Sequence, residues 1–284
     1  MAKSSKSFID LLRAPDSPID LSEIPTDSHP GGHSKKAARE ALPELGERLA
    51  ALQERLFAQS RGGTEPARES VLLVLQGMDT SGKGGTVKHV TGVMDPGGLH
   101  ITSFKSPTEE ELSHDFLWRI RKALPGAGYV GVFDRSHYED VLIVRVRNLV
   151  PPEQWEPRYG LINEFEQELA DQGTTVVKCF LHISRDEQKD RLLARLDDET
   201  KLWKYNTGDV DERKLWPAYR EAYEAALDLT STATAPWYVI PADRKWYRNF
   251  AITNLLIETL ERIDPQWPPA DYDVAKEKAR VLES

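Results

Sequence analysis

The stretch from Val71 to Thr86 reads VLLVLQGMDTSGKGGT, and it decides the fold of the chain. Its first six residues form an apolar run that predicts a buried β-strand, and a helix is predicted to start at Thr86. Between them, Gly77 and Gly82 hold the first and sixth positions of a glycine-punctuated turn, directly before Lys83. A strand, a glycine-rich turn, a lysine and a helix in this order predict a phosphate-binding loop.

The loop offers several kinds of group to a phosphate. Glycines let the backbone bend so that successive N–H groups point at phosphate oxygens. The following helix adds the positive end of its dipole, and Lys83 adds a full charge for the outer phosphates. The alternative is a chance glycine-rich turn in an α/β protein. The candidate phosphate-binding residues are Gly77, Thr80, Ser81, Gly82, Lys83, Gly84, Gly85 and Thr86.

One position departs from the usual motif. The residue after the lysine is normally Ser or Thr, which binds magnesium, but here it is Gly84, and the next hydroxyl belongs to Thr86. Asp79 lies inside the loop, where a phosphate repels a carboxylate unless a cation lies between them. We therefore predict that Asp79 is a ligand of magnesium or of a magnesium-bound water. The alternative is an Asp that forms the turn or caps the helix.

Composition and charge exclude several classes of protein. The chain has 284 residues and a net charge of −9, which argues against broad nucleic-acid binding, so cations that hold phosphate should be concentrated locally. The single cysteine, Cys179, excludes an intrachain disulfide and lies in an apolar run that favours a buried position. No apolar run approaches membrane-spanning length, and the N-terminus lacks the apolar core of a signal peptide. We expect no membrane partner and a cytoplasmic location.

The sequence divides into three parts. Residues 1–33 are rich in Ser, Pro, Asp and Lys and predict an extended or poorly ordered arm, whose apolar residues could dock on the body or on a neighbouring subunit. Residues 34–264 form the predicted catalytic domain, which opens with a long helix containing Pro43 as a candidate break and continues through a linker at 61–64. Residues 265–284 form a proline-bearing, charged tail.

Strand and helix patterns alternate along the middle of the chain. This alternation predicts a three-layer α/β/α architecture with a five-stranded, mostly parallel sheet. The predicted strands span 71–76, 100–104, 129–133, 174–183 and 236–241, and the predicted helices between and after them include 86–94, 108–124, 152–172, 211–229 and 246–263.

The third predicted strand ends in Asp134 and Arg135. At the C-terminal edge of a parallel sheet, Asp134 would face the phosphate loop and hold magnesium or a metal-bound water. Arg135 is placed to contact the transferring phosphate, because a guanidinium matches phosphate oxygens with paired hydrogen bonds. The alternative is an Asp that caps the next helix beside a surface arginine. One or more of the next residues could line a nucleotide or metal pocket, and Glu139 and Asp140 are the nucleotide-binding candidates.

A basic helix after the fourth strand leads into the mixed basic and aromatic segment KLWKY at 201–205. We predict a helical lid over about residues 195–212, which would close over phosphates, exclude water and add positive charge. The alternative is an ordinary surface connection with salt bridges.

Two further features follow the lid. Trp216, Tyr219 and Tyr223 recur at helical spacing, which favours core packing over a base-stacking platform. Residues 243–246 follow the fifth strand, in the place where kinases often contact the base or ribose of a nucleotide.

Five segments of the chain together resemble the second family of polyphosphate kinases. The resemblance covers about residues 34–263, and both the missing Ser or Thr after Lys83 and the aspartate inside the loop are expected in that family. The matching segments are Gly77–Thr86, Ser103–Thr108, Phe133–Asp140, Arg195–Asp198 with Lys201–Lys204, and Ala235–Asp243.

The resemblance implies magnesium-dependent phosphoryl transfer between inorganic polyphosphate and ADP, AMP or ATP. It also implies a phosphate-loop kinase fold with a lid, and a homo-oligomer, either a dimer or a tetramer. The sequence of residues 76–79 is similar to that of the family branch that phosphorylates AMP as well as ADP. We expect reversible, in-line transfer without a covalent enzyme intermediate.

Residue roles carry over from the same resemblance. Lys83 would bind phosphates of the polymer or the transferring group, Asp79 and Asp134 would hold magnesium and orient the attacking phosphate, and Arg135 would stabilise charge during transfer. Residues on the lid side would bind phosphate, and Arg195 would join the catalytic set. These lid-side residues are Arg191, Arg195, Lys201 and Lys204.

Two other functions remain open from the residues. The first is an ATP-dependent nucleoside or nucleoside-monophosphate kinase, against which the missing hydroxyl at position 84 counts. The second is a nucleotide-binding module without turnover. Such a module would not need the lysine, both aspartates and a basic lid together.

Overall fold

The structure, a computed structural model, describes residues 6–62 and 67–284. A five-stranded sheet lies at its centre, in the order β2-β3-β1-β4-β5, and every neighbouring pair of strands is parallel. Helices flank this sheet, so the predicted α/β fold is confirmed. The end of the predicted linker, Gly63 and Thr64, lies outside the described residues. The strands are β1 Ser70–Gln76, β2 Leu99–Ser103, β3 Val130–Asp134, β4 Thr174–His182 and β5 Trp237–Pro241.

The strand order brings three strand ends together at one edge. Leu75 of β1 is paired with Asp134 of β3 on one side and with Cys179 of β4 on the other. All seven residues of β1 are buried, which explains its unbroken apolar run. Because the chain crosses from one side of β1 to the other between β3 and β4, the crevice beyond β1 is the expected ligand site of such a sheet.

Helices cover the sheet and continue to the C-terminus. Short 3₁₀ segments occur at Pro96–Gly98, His137–Asp140 and Glu199–Lys204. Among the described residues, no helix is both long and apolar enough to cross a membrane. The α-helices are α1 Phe8–Leu12, α2 Lys35–Arg61, α3 Lys83–Thr91, α4 Glu109–Leu112, α5 Trp118–Lys122, α6 Ile143–Val146, α7 Pro152–Trp155, α8 Arg158–Asp171, α9 Arg185–Leu196, α10 Asp209–Lys214, α11 Trp216–Thr230, α12 Lys245–Ile263 and α13 Val274–Leu282.

Several helix predictions are wrong in detail, and proline accounts for part of the difference. The predicted helices 152–172 and 211–229 are each split in two, and α8 and α11 have Pro157 and Pro217 at their starts. Proline suits the first turn of a helix because its fixed φ is helical and its missing N–H would have no partner there. Pro43, in contrast, lies within α2 without ending it.

The helix predicted over 108–124 is also two helices, α4 and α5, and a turn separates them. Its predicted start is correct, because Thr108 and Glu111 form a reciprocal capping box. The helix predicted from Thr86 begins at Lys83 instead, directly after the left-handed Gly82.

The N-terminal arm packs on the body over its described residues. Phe8, Ile9 and Leu12 of α1 are buried, and the N–H groups of Phe8 and Ile9 donate to the carboxylate of Glu258 on α12 at 2.8 and 3.0 Å. The predicted extended or poorly ordered arm is corrected for this part of the chain, because a helix with an apolar face buries that face. The body is the docking surface, whereas the boundaries at 33 and 264 stay predictions.

Candidate active site

The phosphate loop is fixed by glycines that no other residue could replace. Gly77 has φ +149° and Gly82 has φ +106°, in the left-handed region that disfavours side chains. A Cβ on Gly77 would lie 2.7 Å from the carbonyl oxygen of Leu181, and a Cβ on Gly82 would lie 1.8 Å from Nη1 of Arg248. The loop therefore approaches β4 and α12 too closely for any side chain at these two positions.

Three hydroxyls of the loop are buried without a hydrogen-bond partner in the described part of the protein. They are Thr80 Oγ1, Ser81 Oγ and Thr86 Oγ1. Buried polar groups nearly always have partners, so these three hydroxyls are a notable exception at one loop. They do not line the cavity beside the loop, and a phosphate oxygen would reach them only if the loop shifted.

Lys83 lies at the bottom of the loop. Its Nζ donates to the carbonyl oxygens of Gly77 at 2.6 Å and Met78 at 3.4 Å. Burial lowers the pKa of Lys83, while the carboxylates of Asp79 and Asp134 act in the opposite direction. The ammonium group thus donates to carbonyl oxygens of the loop itself. A phosphate bound in the loop could take the place of these oxygens as acceptor.

Asp79 and Arg135 meet at the mouth of the loop. Nη2 of Arg135 lies 3.4 Å from Oδ1 of Asp79, and both side chains are partly exposed. Burial opposes the charge of Arg135, but Glu139 and Asp79 outweigh it and raise the arginine pKa. Arg135 also has φ +66°, an uncommon conformation for a residue with a side chain, which turns the chain directly after β3.

Asp134 lies beside the position where the usual motif has a hydroxyl. A Cβ on Gly84 would lie 3.8 Å from Oδ2 of Asp134, which is ordinary contact distance. Gly84 therefore leaves open the space directly in front of this carboxylate. No group of three or more His, Cys, Asp or Glu within residues 6–62 and 67–284 is arranged to hold a metal ion. A magnesium site of one or two carboxylates completed by water and substrate phosphates fits this donor set, because magnesium keeps several waters.

The two nucleotide-binding candidates separate in the structure. Glu139 lines the cavity beside the loop, and burial raises its pKa although Arg135 and Lys83 oppose the shift. Asp140 does not line the cavity, because Nη1 of Arg158 donates to its Oδ1 at 2.9 Å. Burial raises the pKa of Asp140 to about 6. The side chain of Asp140 forms an ion pair behind the site, and its predicted nucleotide contact stays a prediction.

A cavity of about 250 Å³ opens beside the loop. Asp79, Lys83, Arg135 and Glu139 form its polar side, and residues from α6, the segment 206–212 and α11 form the rest. The aromatic residues of α11, predicted as core, line this cavity as well as packing inward. They are Trp216, Tyr219 and Tyr223.

Helical spacing placed these aromatic residues on one face, but it did not say what that face contacts. Gln188, Asp209 and Glu212 also line the cavity and were missed. They are single polar residues on helices, and only their tertiary position distinguishes them from solvated ones.

The predicted lid contains a 3₁₀ segment and α10. Arg195 braces it, because its Nη1 donates to the carbonyl of Lys204 at 3.0 Å and lies 3.4 Å from Oδ2 of Asp209. Lys201 is paired with Asp198, and Lys204 lies 4.9 Å from the centre of the Trp203 ring. None of these three basic residues lines the cavity, and their phosphate contacts stay predictions.

Arg191 is part of the floor and not of the lid. It is buried, its Nη1 donates to the carbonyls of Thr80 and Ser81 at 2.9 and 2.8 Å, and its Nη2 donates to those of Ala242 and Asp243. Its Nε donates to Glu187. All five donors of the guanidinium are engaged in this structure, and the predicted phosphate contact of Arg191 stays a prediction. It holds the phosphate loop against the end of β5.

Comparison with known proteins agrees with this site. The family model described as polyphosphate kinase 2 matches residues 32–268. The chain is similar to a crystal structure of polyphosphate kinase 2 from Arthrobacter aurescens TC1, with a TM-score of 0.94 and 51% identity over 99% of this chain and 98% of that one.

Two curated relatives are also similar over most of their length. A protein of Meiothermus ruber named AMP/ADP-polyphosphate phosphotransferase is 49% identical over 89% of this chain and 93% of its own. One of Rhodopseudomonas palustris named ADP-polyphosphate phosphotransferase is 41% identical over 88% of each chain. Because the family model spans most of the chain and these relatives are at least 41% identical over most of their length, the chain belongs to the polyphosphate kinase 2 family.

Proposed function

We propose that the protein transfers the terminal phosphoryl group of inorganic polyphosphate to ADP and to AMP, forming ATP and ADP. The observation that carries the proposal is the meeting of Asp79, Lys83 and Arg135 on one side of the cavity beside the phosphate loop, where two cations and a carboxylate face the space for a polyanion. The relative that is 49% identical has both acceptors in its name, which supports AMP beside ADP. Family membership supports the donor.

The donor's terminal phosphates lie in the loop in this proposal. Thr80, Ser81 and Thr86 donate their hydroxyls to phosphate oxygens, together with the N–H groups at the start of α3. Lys83 exchanges its bonds to the loop carbonyls for bonds to the phosphate that is transferred. Arg191 keeps the loop in this shape from behind.

Magnesium is proposed as the cofactor. Asp79 and Asp134 are the carboxylates that would hold it, directly or through water, and the open space at Gly84 accommodates a hydrated ion in front of Asp134. When bound, magnesium neutralises phosphate charge and polarises the transferring group. Arg135, next to Asp79, adds a guanidinium for the equatorial oxygens.

The acceptor lies in the cavity. Its terminal phosphate approaches Arg135, and the base packs among the aromatic residues of α11. An oxygen of this phosphate attacks the terminal phosphorus of polyphosphate, a new P–O bond forms, and the bridging P–O bond breaks. The shortened polymer leaves with the bonding electrons. The attacking oxygen is already anionic, so no general base is needed, and Glu139, which lines the cavity, is proposed to contact the nucleotide.

We also infer a homo-oligomer, a dimer or a tetramer, in the cytoplasm, without a nucleic-acid partner. The family resemblance supports the homo-oligomer. The composition supports the cytoplasmic location and the lack of a nucleic-acid partner, since a net charge of −9 repels nucleic acid. Closure of the segment 195–212 over bound phosphates is part of the same proposal.

The test is ATP formation by the purified protein with magnesium and long-chain polyphosphate, with ADP and AMP supplied separately. We expect ATP from ADP, and ADP from AMP. Transfer only when ATP is the donor would instead establish an ordinary nucleotide kinase. Nucleotide binding without transfer from either donor would establish a binding module. Omitting magnesium, with chelator present, should abolish product.

A further inference from the structure

Residues 19–30 of the N-terminal arm, here called the strap, contact the edge of the sheet that carries the phosphate loop. His182 is the last residue of β4, and its Nε2 lies 3.0 Å from the carbonyl oxygens of both Leu21 and Ile24. The N–H groups of Ile19 and Leu21 donate to two carboxylates of α11, at 2.9 and 3.0 Å. The strap is therefore bonded to α11, whose aromatic residues line the cavity, as well as to the end of β4.

Asp243, just after β5, joins the strap to the start of α9. Its Oδ2 accepts from the hydroxyl of Thr26 at 2.6 Å, and its N–H group donates to the carbonyl of Thr26 at 3.1 Å. Its Oδ1 accepts at 2.8 Å from the N–H group of Ser184, the residue that caps the N-terminus of α9. The helix dipole favours a carboxylate at this end of a helix. Thr26 therefore orients the carboxylate that holds the first turn of α9.

The same helix carries two side chains that hold the phosphate loop. Arg191 donates to two carbonyl groups of the loop, and Nε2 of Gln188 donates to the carbonyl of Asp79 at 3.1 Å. Nη2 of Arg191 also donates to the carbonyl of Asp243 at 3.1 Å. A helix is a rigid element, so a displacement at its start reaches the loop carbonyls at its other contacts.

These bonds connect the strap to the reacting centre without any contact with substrate. No residue of the strap lines the cavity. In-line transfer nevertheless depends on where the loop holds the donor phosphate, since a misplacement of about 1 Å can cost about a hundredfold in rate. The buried Ile19 and Leu21 pack in the core, but the hydroxyl of Thr26 adds nothing to that apolar packing.

We propose that the strap positions the phosphate loop for phosphoryl transfer, with Thr26 and Asp243 as the positioning residues through which it acts. The inference rests on the proposed function, because the position of the loop matters only if the loop holds the donor. The family model begins at residue 32, so the strap contributes from outside the part of the chain that the model matches.

The test removes one hydroxyl of the full-length protein. Initial rates with ADP, magnesium and long-chain polyphosphate are measured beside thermal melts for wild type, Thr26→Val and Thr26→Ser. Valine keeps the branched shape of threonine, and serine restores the hydroxyl. Ser28→Ala is the matched control, because Ser28 is half-buried like Thr26 but its hydroxyl donates to the carbonyl of Pro25, within the strap, at 3.1 Å.

We expect Thr26→Val to lower kcat about tenfold, with KM for ADP changed less than about twofold, since the cavity that takes the acceptor keeps its lining. Thr26→Ser and Ser28→Ala should both stay within about twofold of the wild-type kcat. Asp243→Ala should lower kcat at least as much as Thr26→Val. Adding Thr26→Val to Asp243→Ala should then lower kcat no further, because both changes break the same bond.

Three results would overturn the inference. A lower melting temperature of Thr26→Val with wild-type kcat would show that the strap serves stability alone. An equal loss of kcat in Thr26→Ser, or additive losses in the double variant, would show that the bond to Asp243 is not the route. Wild-type protein that makes no ATP from polyphosphate would instead refute the proposed function, so the two failures are distinguishable.

Discussion

Two clusters of buried charge meet at a single short segment, and they differ in how their polar atoms are satisfied. Arg135 and Glu139 line the active-site cavity, whereas His137 and Tyr138 contribute to a charge cluster under β4. In that second cluster, Nζ of Lys178 donates to Glu166 and to the carbonyl of Thr230, at 2.6 Å each, and to the hydroxyl of Tyr138. Its three protons are all used.

Glu166 is equally well bound. It accepts from Lys178, from Tyr138 at 2.8 Å and lies 3.2 Å from Nε2 of His137. Burial disfavours its charge, but Lys178 and His137 outweigh this effect and lower its pKa. In this cluster Nδ1 of His137 is the atom without a partner among the described residues.

The phosphate loop shows the opposite pattern. Three hydroxyls there have no partner, and Arg248 has no counter-ion in the described part of the chain. The comparison teaches that burial of charge does not by itself mark a functional site. A saturated cluster supports the fold, whereas a cluster with open donors is prepared for a ligand.

The largest expected effect is at the loop. Lys83→Met removes the ammonium that contacts transferring phosphate, and we expect the rate of ATP formation to fall about a thousandfold, as for other preorganised charge contacts. Thermal stability should change little, because Lys83 is a partly buried side chain that lines the cavity. Initial rates and thermal melts measure both, and near-normal turnover would contradict the assignment.

The charge cluster should respond in the reverse way. Lys178→Met leaves Glu166 buried without its cation, and we expect a loss of about 3–5 kcal/mol in the free energy of unfolding, with turnover per folded molecule retained. Urea unfolding measures the loss. The double variant Lys178→Met, Glu166→Gln should recover part of it, since no unpaired charge remains. A stable single variant would show that the cluster contributes little.

Arg191 shares a feature with each cluster. All of its hydrogen-bond donors have acceptors, as in the cluster around Lys178, yet it holds the phosphate loop of the active site. Arg191→Lys loses several of the bonds to carbonyl groups, and we expect about tenfold lower kcat together with about 1–3 kcal/mol lower stability. Arg220→Lys, on an exposed position of α11, is the control for the exchange itself. Loss of stability without loss of kcat would separate Arg191 from catalysis.

The smallest effect concerns Asp140 and depends on pH. The pKa of Asp140 is about 6 in the folded protein, whereas the ordinary value for an aspartate is 3.8, so folding favours the protonated form. The stability from this group is fully present below pH 3.8 and is lost as the pH rises through about 6. Wild type should therefore lose about 1 kcal/mol relative to Asp140→Asn between pH 5 and 7.5. Urea unfolding at both pH values measures this, and parallel profiles would contradict it.

The sequence by itself determined the sheet, the loop and the strand end. An apolar run before a glycine-rich turn is compatible with few structures other than a buried strand and a loop. The alternation of strands and helices along the chain is enough to place the Asp-Arg pair at the end of β3. These are local patterns, so residues such as Asp79, Lys83 and Arg135 were predicted at the positions where the structure brings them together.

Only the tertiary structure decided how each basic residue is bonded. Arg191 and Arg248 look alike in the sequence, yet Arg191 is saturated by five hydrogen bonds, whereas Arg248 lies on the loop's flank with Asn249 as its one hydrogen-bond partner among the described residues. The same holds for Asp140, because its ion-pair partner Arg158 lies eighteen positions later in the chain and reaches it only through the fold. Hydrogen-bond saturation depends on contacts between residues distant in the chain, and no local pattern records them.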